Sequence, residues 1–123
     1  MIGDRIDRYC VLRSYTLKET IDQIDENHDR VVMVVNEKNK VIGVVSQGDI
    51  IRALSSGKSL YARVDSIMQS GFLYLKERDM ACAEKLFKEK KITLLPIVDD
   101  EFMLRGVITL TDMYNYLEKK AYE

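Results

Sequence analysis

Residues 43–54 read GVVSQGDIIRAL, and residues 106–117 read GVITLTDMYNYL. The two stretches follow one plan. Gly43 matches Gly106, Val44 matches Val107, Ser46 matches Thr109, Asp49 matches Asp112 and Leu54 matches Leu117. Each begins as a β-like apolar segment, passes a hydroxyl residue and an aspartate, and enters an amphipathic helix. The offset from Gly43 to Gly106, 63 residues, extends in both directions. It aligns 9–54 with 72–117 without a gap, placing Tyr9, Cys10, Val11 and Leu12 on Phe72, Leu73, Tyr74 and Leu75, and Thr16 on Asp79. A gapless match in element type, caps and apolar positions indicates an internal duplication.

Within the first copy, 9–12 is a short apolar strand. Thr16 caps a helix, with Glu19 completing a capping box and Leu17, Ile21 and Ile24 on one face. Strands follow at 31–35 and 41–45 around the polar turn NEKNK, then a helix over 47–54. Leu60, Val64, Ile67 and Met68 give the connector a helical face. The second copy predicts a strand at 72–75, a helix from the Asp79 cap to about Lys90, strands at 93–98 and 103–108, and a helix over 111–120. Pro96 marks an edge or unpaired position. The order β-α-β-β-α thus occurs twice. Residues 1–8 form a polar lead-in or linker, 9–57 the first repeat, 58–71 the connector and 72–119 the second repeat. Each repeat is near the lower size limit for folding alone. An α+β fold is expected, with the two sheets packed together in pseudo-twofold fashion over one shared core.

Composition excludes several function classes. Of 123 residues, 46% are hydrophobic and 32% charged, enough to bury a core. Nineteen Lys and Arg against 20 Asp and Glu leave a net charge of -1, so nothing recommends nucleic acid or an anionic membrane as a partner. The first ten residues lack the apolar centre of a secretory signal, and the cytoplasm is the expected compartment. Two distant cysteines and one histidine cannot assemble a zinc pattern. Cys10 and Cys82 are expected to be packed, reduced thiols, and His28 a surface residue at a helix end. With no clustered acids and no Walker-type loop, a catalytic constellation is missing, and the chain reads as a non-enzyme.

The candidate chemistry sits at Ser46-x-x-Asp49 and Thr109-x-x-Asp112. A hydroxyl at N-cap with an acid at N3 is a capping box, and the acid complements the helix dipole. The same geometry offers a helix N-terminus to an anion such as phosphate and a carboxylate to the vicinal hydroxyls of a ribose. The structural and the nucleotide readings both account for the residues.

The doubled β-α-β-β-α order, the LPIVD of 95–99 and the two G-x-x-[ST]-x-x-D segments together resemble a tandem CBS-domain pair over about residues 9–118. The resemblance implies a regulatory module without catalysis or a required cofactor. It implies an adenosine-containing ligand (AMP, ADP, ATP or S-adenosylmethionine) in the clefts between repeats. Its Asp would hold the ribose and its Ser or Thr would lie by the phosphate. One site would then take Ser46 and Asp49, with adenine against Gly71, Phe72 and Leu73 and against Ile92, Thr93 and Leu94. The other would take Thr109 and Asp112, with adenine against Tyr9, Cys10 and Val11 and against Asp29, Arg30 and Val31.

This chain departs from the family pattern in two respects. The first repeat has Met33 where the second has Pro96, and Val31 and Leu94 stand where some nucleotide-binding members carry a basic residue. Phosphate neutralisation falls to Arg30, Arg52, Lys58, Arg63 or Lys91. Arg52 is favoured because it lies one turn beyond Asp49, and its counterpart is the uncharged Asn115. The Ser46/Asp49 site is therefore the expected one for a phosphorylated ligand. The resemblance further implies a homodimer. The segment GVVSQGDIIRAL followed by Gly57 is similar to CBS pairs attached to sugar-phosphate nucleotidyltransferases, which makes 1–8 a candidate linker from such a parent. The alternative of a different class is a dimerisation or interaction module with empty clefts, in which capping is the whole role of Ser46 and Thr109.

Overall fold

A computed structural model describes residues 4–122. The first three residues of the expected lead-in, and Glu123, lie outside the described residues. The chain runs α1 (Asp4–Asp7), β1 (Cys10–Leu12), α2 (Leu17–Asn27), β2 (Val31–Val35), β3 (Val41–Ser46), α3 (Gln47–Ser55), a 3-10 turn (Val64–Ser66), α4 (Met80–Lys90), β4 (Leu94–Val98), β5 (Leu104–Thr109) and α5 (Leu110–Ala121). β1, β2 and β3 form one sheet, with β1 parallel and β3 antiparallel to β2, and β4 and β5 form a second, antiparallel sheet.

The duplication holds down to strand register. Val31 pairs with Ser46 and Val35 with Val41; 63 residues on, Leu94 pairs with Thr109 and Val98 with Leu104. A bulge interrupts both ladders at equivalent places, between Val34 and Val35 and between Ile97 and Val98. The hairpin tips also touch, through an isolated bridge between Lys40 and Met103.

The continuous apolar runs of β2 and β4 reflect burial on both faces. Val32 and Val34 point to the helix side, where Leu17, Ile24 and Ile50 pack on them. Met33 and Val35 point the other way, into a central cluster shared with Leu94, Val98, Leu104 and Val107 of the second repeat. Leu95 and Ile97 face α4 and α5 in a third cluster with Phe87 and Met113. The sheets thus share a middle core, and each keeps a helix-side core of its own.

Three expectations are corrected. The strand at 72–75 shrinks to a single bridge, Leu75 to Ile97. In the first repeat the Met33 N–H donates to the Tyr9 carbonyl at 2.7 Å, and this bond begins the β1–β2 ladder. Pro96 stands at that position in the second repeat and has no N–H to donate, so pairing starts only where Leu75 bonds to Pro96 O and Val98 N. The connector is not helical beyond the Val64–Ser66 turn. Its backbone serves other elements: Ala62 and Leu60 carbonyls accept from Leu17 and Lys18 at the open N-terminus of α2, and Gln69 exchanges two bonds with Val44 at the edge of β3. Fully buried Val64 pins it. The lead-in contains the short helix α1, and Ile6 packs against the shared core.

His28 is the exposed left-handed C-cap of α2, as expected of a helix-end surface residue. Buried Asn27 does more than end that helix. Its amide donates to Arg8 O and Val31 O, and its Oδ1 accepts the Asp29 N–H.

Candidate functional site

Strand β3 ends at Ser46, whose extended backbone (φ -100°, ψ 163°) turns the chain into α3. The Ser46 hydroxyl accepts the Asp49 N–H at 3.1 Å, and Asp49 Oδ2 accepts the Ser46 N–H at 2.9 Å. The capping box holds the carboxylate back over the strand end. Its other oxygen, Oδ1, accepts from Arg52 Nη2 at 2.6 Å and from Gln69 Nε2 at 3.3 Å. The Asp49 side chain is only 9% exposed. That burial pushes its carboxyl up, but the hydrogen bonds from the Ser46 N–H, Arg52, Gln69 and the Ser46 hydroxyl outweigh it and hold the group below the usual carboxylate range.

Beside this junction lies a cavity of about 560 Å³, within the range that holds drug-sized ligands. It unites Ser46 and Asp49 with Gly71, Phe72 and Leu73 and with Ile92, Thr93 and Leu94, the grouping that the family resemblance implies. It therefore lies between repeats. The Thr93 hydroxyl also donates to the Asp29 carbonyl at 3.2 Å, tying the second repeat to the first beside the cavity.

The charged residues fall differently from the sequence reading. Arg52 is absent from the cavity wall, because its guanidinium is 72% exposed and engaged with Asp49. Lys58 donates to the Ser66 hydroxyl and Arg63 pairs with Asp65, so neither reaches the cavity. Arg30 and Lys91 do line it. Both have left-handed backbones (φ 65° and 55°) at the entries to β2 and β4, equivalent turns of the two repeats. Neither makes an ion pair or side-chain hydrogen bond among the described residues. The N-terminus of α3 adds the positive end of its dipole at Gln47 and Gly48.

The second grouping is assembled less completely. Thr109 and Asp112 repeat the capping box, with bonds of 3.0 and 3.2 Å. Thr109, however, is 1% exposed, whereas Ser46 is half-buried. Arg30 and Val31, expected there, line the first cavity instead. Val11 is 1% exposed and faces the helix-side core, because alternation along β1 turns it away from the other repeat. Tyr9 and Cys10 pack on the shared core. The Cys10 thiol donates to Ile6 O, and burial, reinforced by Asp7, pushes it up to about 12. The outer edge of β5 differs too: the Val107 carbonyl accepts from Arg78, where its counterpart Val44 is covered by the connector.

Sequence reasoning missed Val44, Gln47, Gly48 and Gln69 as wall residues. Gln47 and Gly48 were legible as the first turn after Ser46. Val44 and Gln69 were not, because their places depend on the pairing of connector and strand.

A family model described as CBS domain matches the chain twice, over residues 5–56 and 64–119. An uncharacterized 33.4 kDa protein in the ribosomal RNA operon of Thermofilum pendens is 31% identical over 91% of this chain and 37% of its own length. Arabinose 5-phosphate isomerase GutQ of Salmonella typhi is 30% identical over 91% of this chain and 35% of its own. The chain therefore spans little more than a third of these curated relatives. Among solved structures, a protein from Methanocaldococcus jannaschii superposes with a TM-score of 0.79 at 28% identity, covering 90% of this chain and 46% of that one. The cytosolic domain of the Mg2+ channel MgtE in complex with ATP gives 0.70 at 26% identity, covering 89% and 45%. A CBS domain protein from Pyrobaculum aerophilum complexed with AMP gives 0.72 at 19% identity, covering 89% and 90%, a likeness of fold. No helix among the described residues is long and apolar enough to cross a membrane.

Proposed function

Because the chain belongs to the CBS-domain family, as a tandem pair, we propose that it is a regulatory module that binds an adenine nucleotide in the Ser46/Asp49 cleft. One observation carries the reading: an inter-repeat cavity joins the hydroxyl-capped N-terminus of α3, a largely buried ionised carboxylate, an apolar wall and two cations that are unpaired among the described residues. The apolar wall of Phe72, Leu73, Ile92 and Leu94 suits a base, Asp49 the ribose hydroxyls, and Ser46 with Arg30 and Lys91 the phosphates. The solved relatives that hold AMP and ATP support the ligand class. The module itself performs no catalysis and requires no cofactor. Ligand acts by favouring one packing of the two repeats, between which the cavity lies.

The regulated partner is proposed to be a sugar-phosphate enzyme, fused or associated. The isomerase relatives, matched over about a third of their length, extend that class beyond nucleotidyltransferases. A homodimer is proposed through α3 and α5, which expose Ile51 and Tyr114 at equivalent positions, with Leu117 beside the latter. Such a twofold-related pair of apolar patches suits a second copy.

Calorimetric titration with AMP, ADP, ATP and S-adenosylmethionine tests the ligand reading. Saturable heat with at least one phosphorylated compound is expected. No heat and no thermal shift with all four would leave the interaction module with empty clefts as the surviving alternative.

A further inference from the structure

Asp49 Oδ1 has two acceptor positions, and both are occupied. Arg52 Nη2 takes one at 2.6 Å and Gln69 Nε2 the other at 3.3 Å. Oδ2 accepts the Ser46 N–H, and the Ser46 hydroxyl lies against the same carboxylate. A vicinal diol donating to both oxygens therefore needs Oδ1 cleared of at least one donor. A Cβ built at Gly48 would lie 3.2 Å from Arg52 Nη1 and 3.7 Å from Ser46 Oγ, so the guanidinium sits over the first turn of α3, beside the hydroxyl. Gly48 itself lines the cavity. A released Arg52 thus lies at the end of the cleft where an anion would meet the helix N-terminus.

We propose that Arg52 is a latch on Asp49 that makes this cleft select ribosides bearing an anionic phosphate over uncharged or cationic ones. The proposal rests on the reading of Asp49 as the ribose acceptor. A nucleoside whose hydroxyl takes the Oδ1 position held by Arg52 breaks the Arg52–Asp49 contact and offers the guanidinium nothing in return. A nucleotide breaks the same contact and supplies a phosphate oxygen in its place, with the charge assistance and forked geometry that arginine gives. Two features suit a latch rather than a structural ion pair. Arg52 is 72% exposed, so it can swing away at little cost in burial, while Asp49 at 9% exposed stays fixed by the capping box. The second repeat has the uncharged Asn115 at the equivalent position.

Adenosine and AMP are titrated in parallel into the wild-type chain, Arg52→Ala and Arg52→Lys, with thermal melts to verify folding. Removing the latch should tighten adenosine about threefold, the worth of an exposed ion pair. It should weaken AMP about threefold, because the roughly tenfold loss of a charge-assisted hydrogen bond is offset by the same threefold gain. The AMP-to-adenosine preference then collapses, and Arg52→Lys retains part of it. A wild-type chain that binds AMP, with a preference unchanged in Arg52→Ala, overturns the latch and leaves the nucleotide reading standing. If no variant binds either compound, the ribose role of Asp49 fails and the latch with it.

Discussion

Replacing Asp49 by Asn separates its two roles. The amide oxygen can still accept the Ser46 N–H, and the backbone N–H of residue 49 still donates to the Ser46 hydroxyl, so both bonds of the capping box survive. The negative charge is lost, and with it the ion pair to Arg52 and the favourable placement at the start of α3. Arg52 is 72% exposed, and such pairs contribute at most about 1 kcal/mol. The dipole contributes about 0.3–1 kcal/mol. A net loss of about 1 kcal/mol corresponds to a melting temperature lower by roughly 4 °C for a domain of this size. The ligand role is larger. Of the two charge-assisted hydrogen bonds from the ribose hydroxyls, one becomes neutral and the other loses its acceptor to the amide NH2, costing AMP binding about 1.5–3 kcal/mol, or roughly ten- to a hundredfold in Kd. Differential scanning fluorimetry reads the first effect and calorimetry the second. The Thr16–Glu19 box on α2 is the internal control, being the same motif away from the cavity. Glu19→Gln should lower the melting temperature and leave the AMP titration unchanged. If Asp49→Asn behaves in the same way, with a lower melting temperature and an AMP isotherm superimposable on wild type, the carboxylate is a cap and nothing more.

Three further outcomes follow from the geometry. The depressed Asp49 carboxyl contributes stability that is complete above the unfolded carboxyl pKa of about 3.9 and is lost as pH falls through the lower folded value. Asp65, held down first by Arg63 and then by Arg13 against the upward push of its own burial, acts in the same direction. Urea midpoints at pH 7 and pH 3 should therefore fall further for wild type than for Asp49→Asn; equal falls would refute the assignment of that acid sensitivity to Asp49. Gly43→Ala would place a methyl 2.7 Å from Met68 Sδ and 3.1 Å from the Gln69 carbonyl, costing about 1–3 kcal/mol and displacing the connector at the cavity wall. Gly106→Ala, whose nearest neighbour is Ile97 Cδ1 at 3.4 Å, should be much milder, and equal urea midpoints for the pair would contradict the close approach. Met33→Pro removes the 2.7 Å bond to Tyr9 O and should cost about 3 kcal/mol or more, with amide exchange protection lost along β1. Protection retained there would mean that Pro96 is not the reason the second repeat lacks its first strand.

Most of the fold was legible because duplication makes each half a check on the other. The 63-residue offset implied two like units, and the strand registers and the bulges repeat it. Binary patterning located the hairpins and helices, since both faces of β2 and β4 are buried and their short apolar runs admit few other readings. The grouping of Ser46 and Asp49 with 71–73 and 92–94 also followed from the family resemblance. What the sequence could not supply was anything that depends on which backbone groups find each other. The connector has apolar spacing suited to a helix, but its carbonyls are drawn to the open N-terminus of α2 and its Gln69 to the edge of β3, contacts between segments distant in the chain. The loss of the 72–75 strand was half visible in Pro96, yet its cause is a missing donor whose acceptor only the pairing identifies.

The motif of 43–54 by itself determined a capped helix following a buried strand, with a carboxylate one turn in. Its charge to neutralise phosphate was read as Arg52, because proximity along a helix is all that a sequence displays. Tertiary structure added what that proximity cannot show. Arg52 is the nearest cation to Asp49 and so pairs with it, while Arg30 and Lys91 come to the cavity from two turns that the packing of the repeats brings together. Spacing along the chain sets which groups can share a helix face; only the packing of the two sheets sets which charges are left over for a ligand.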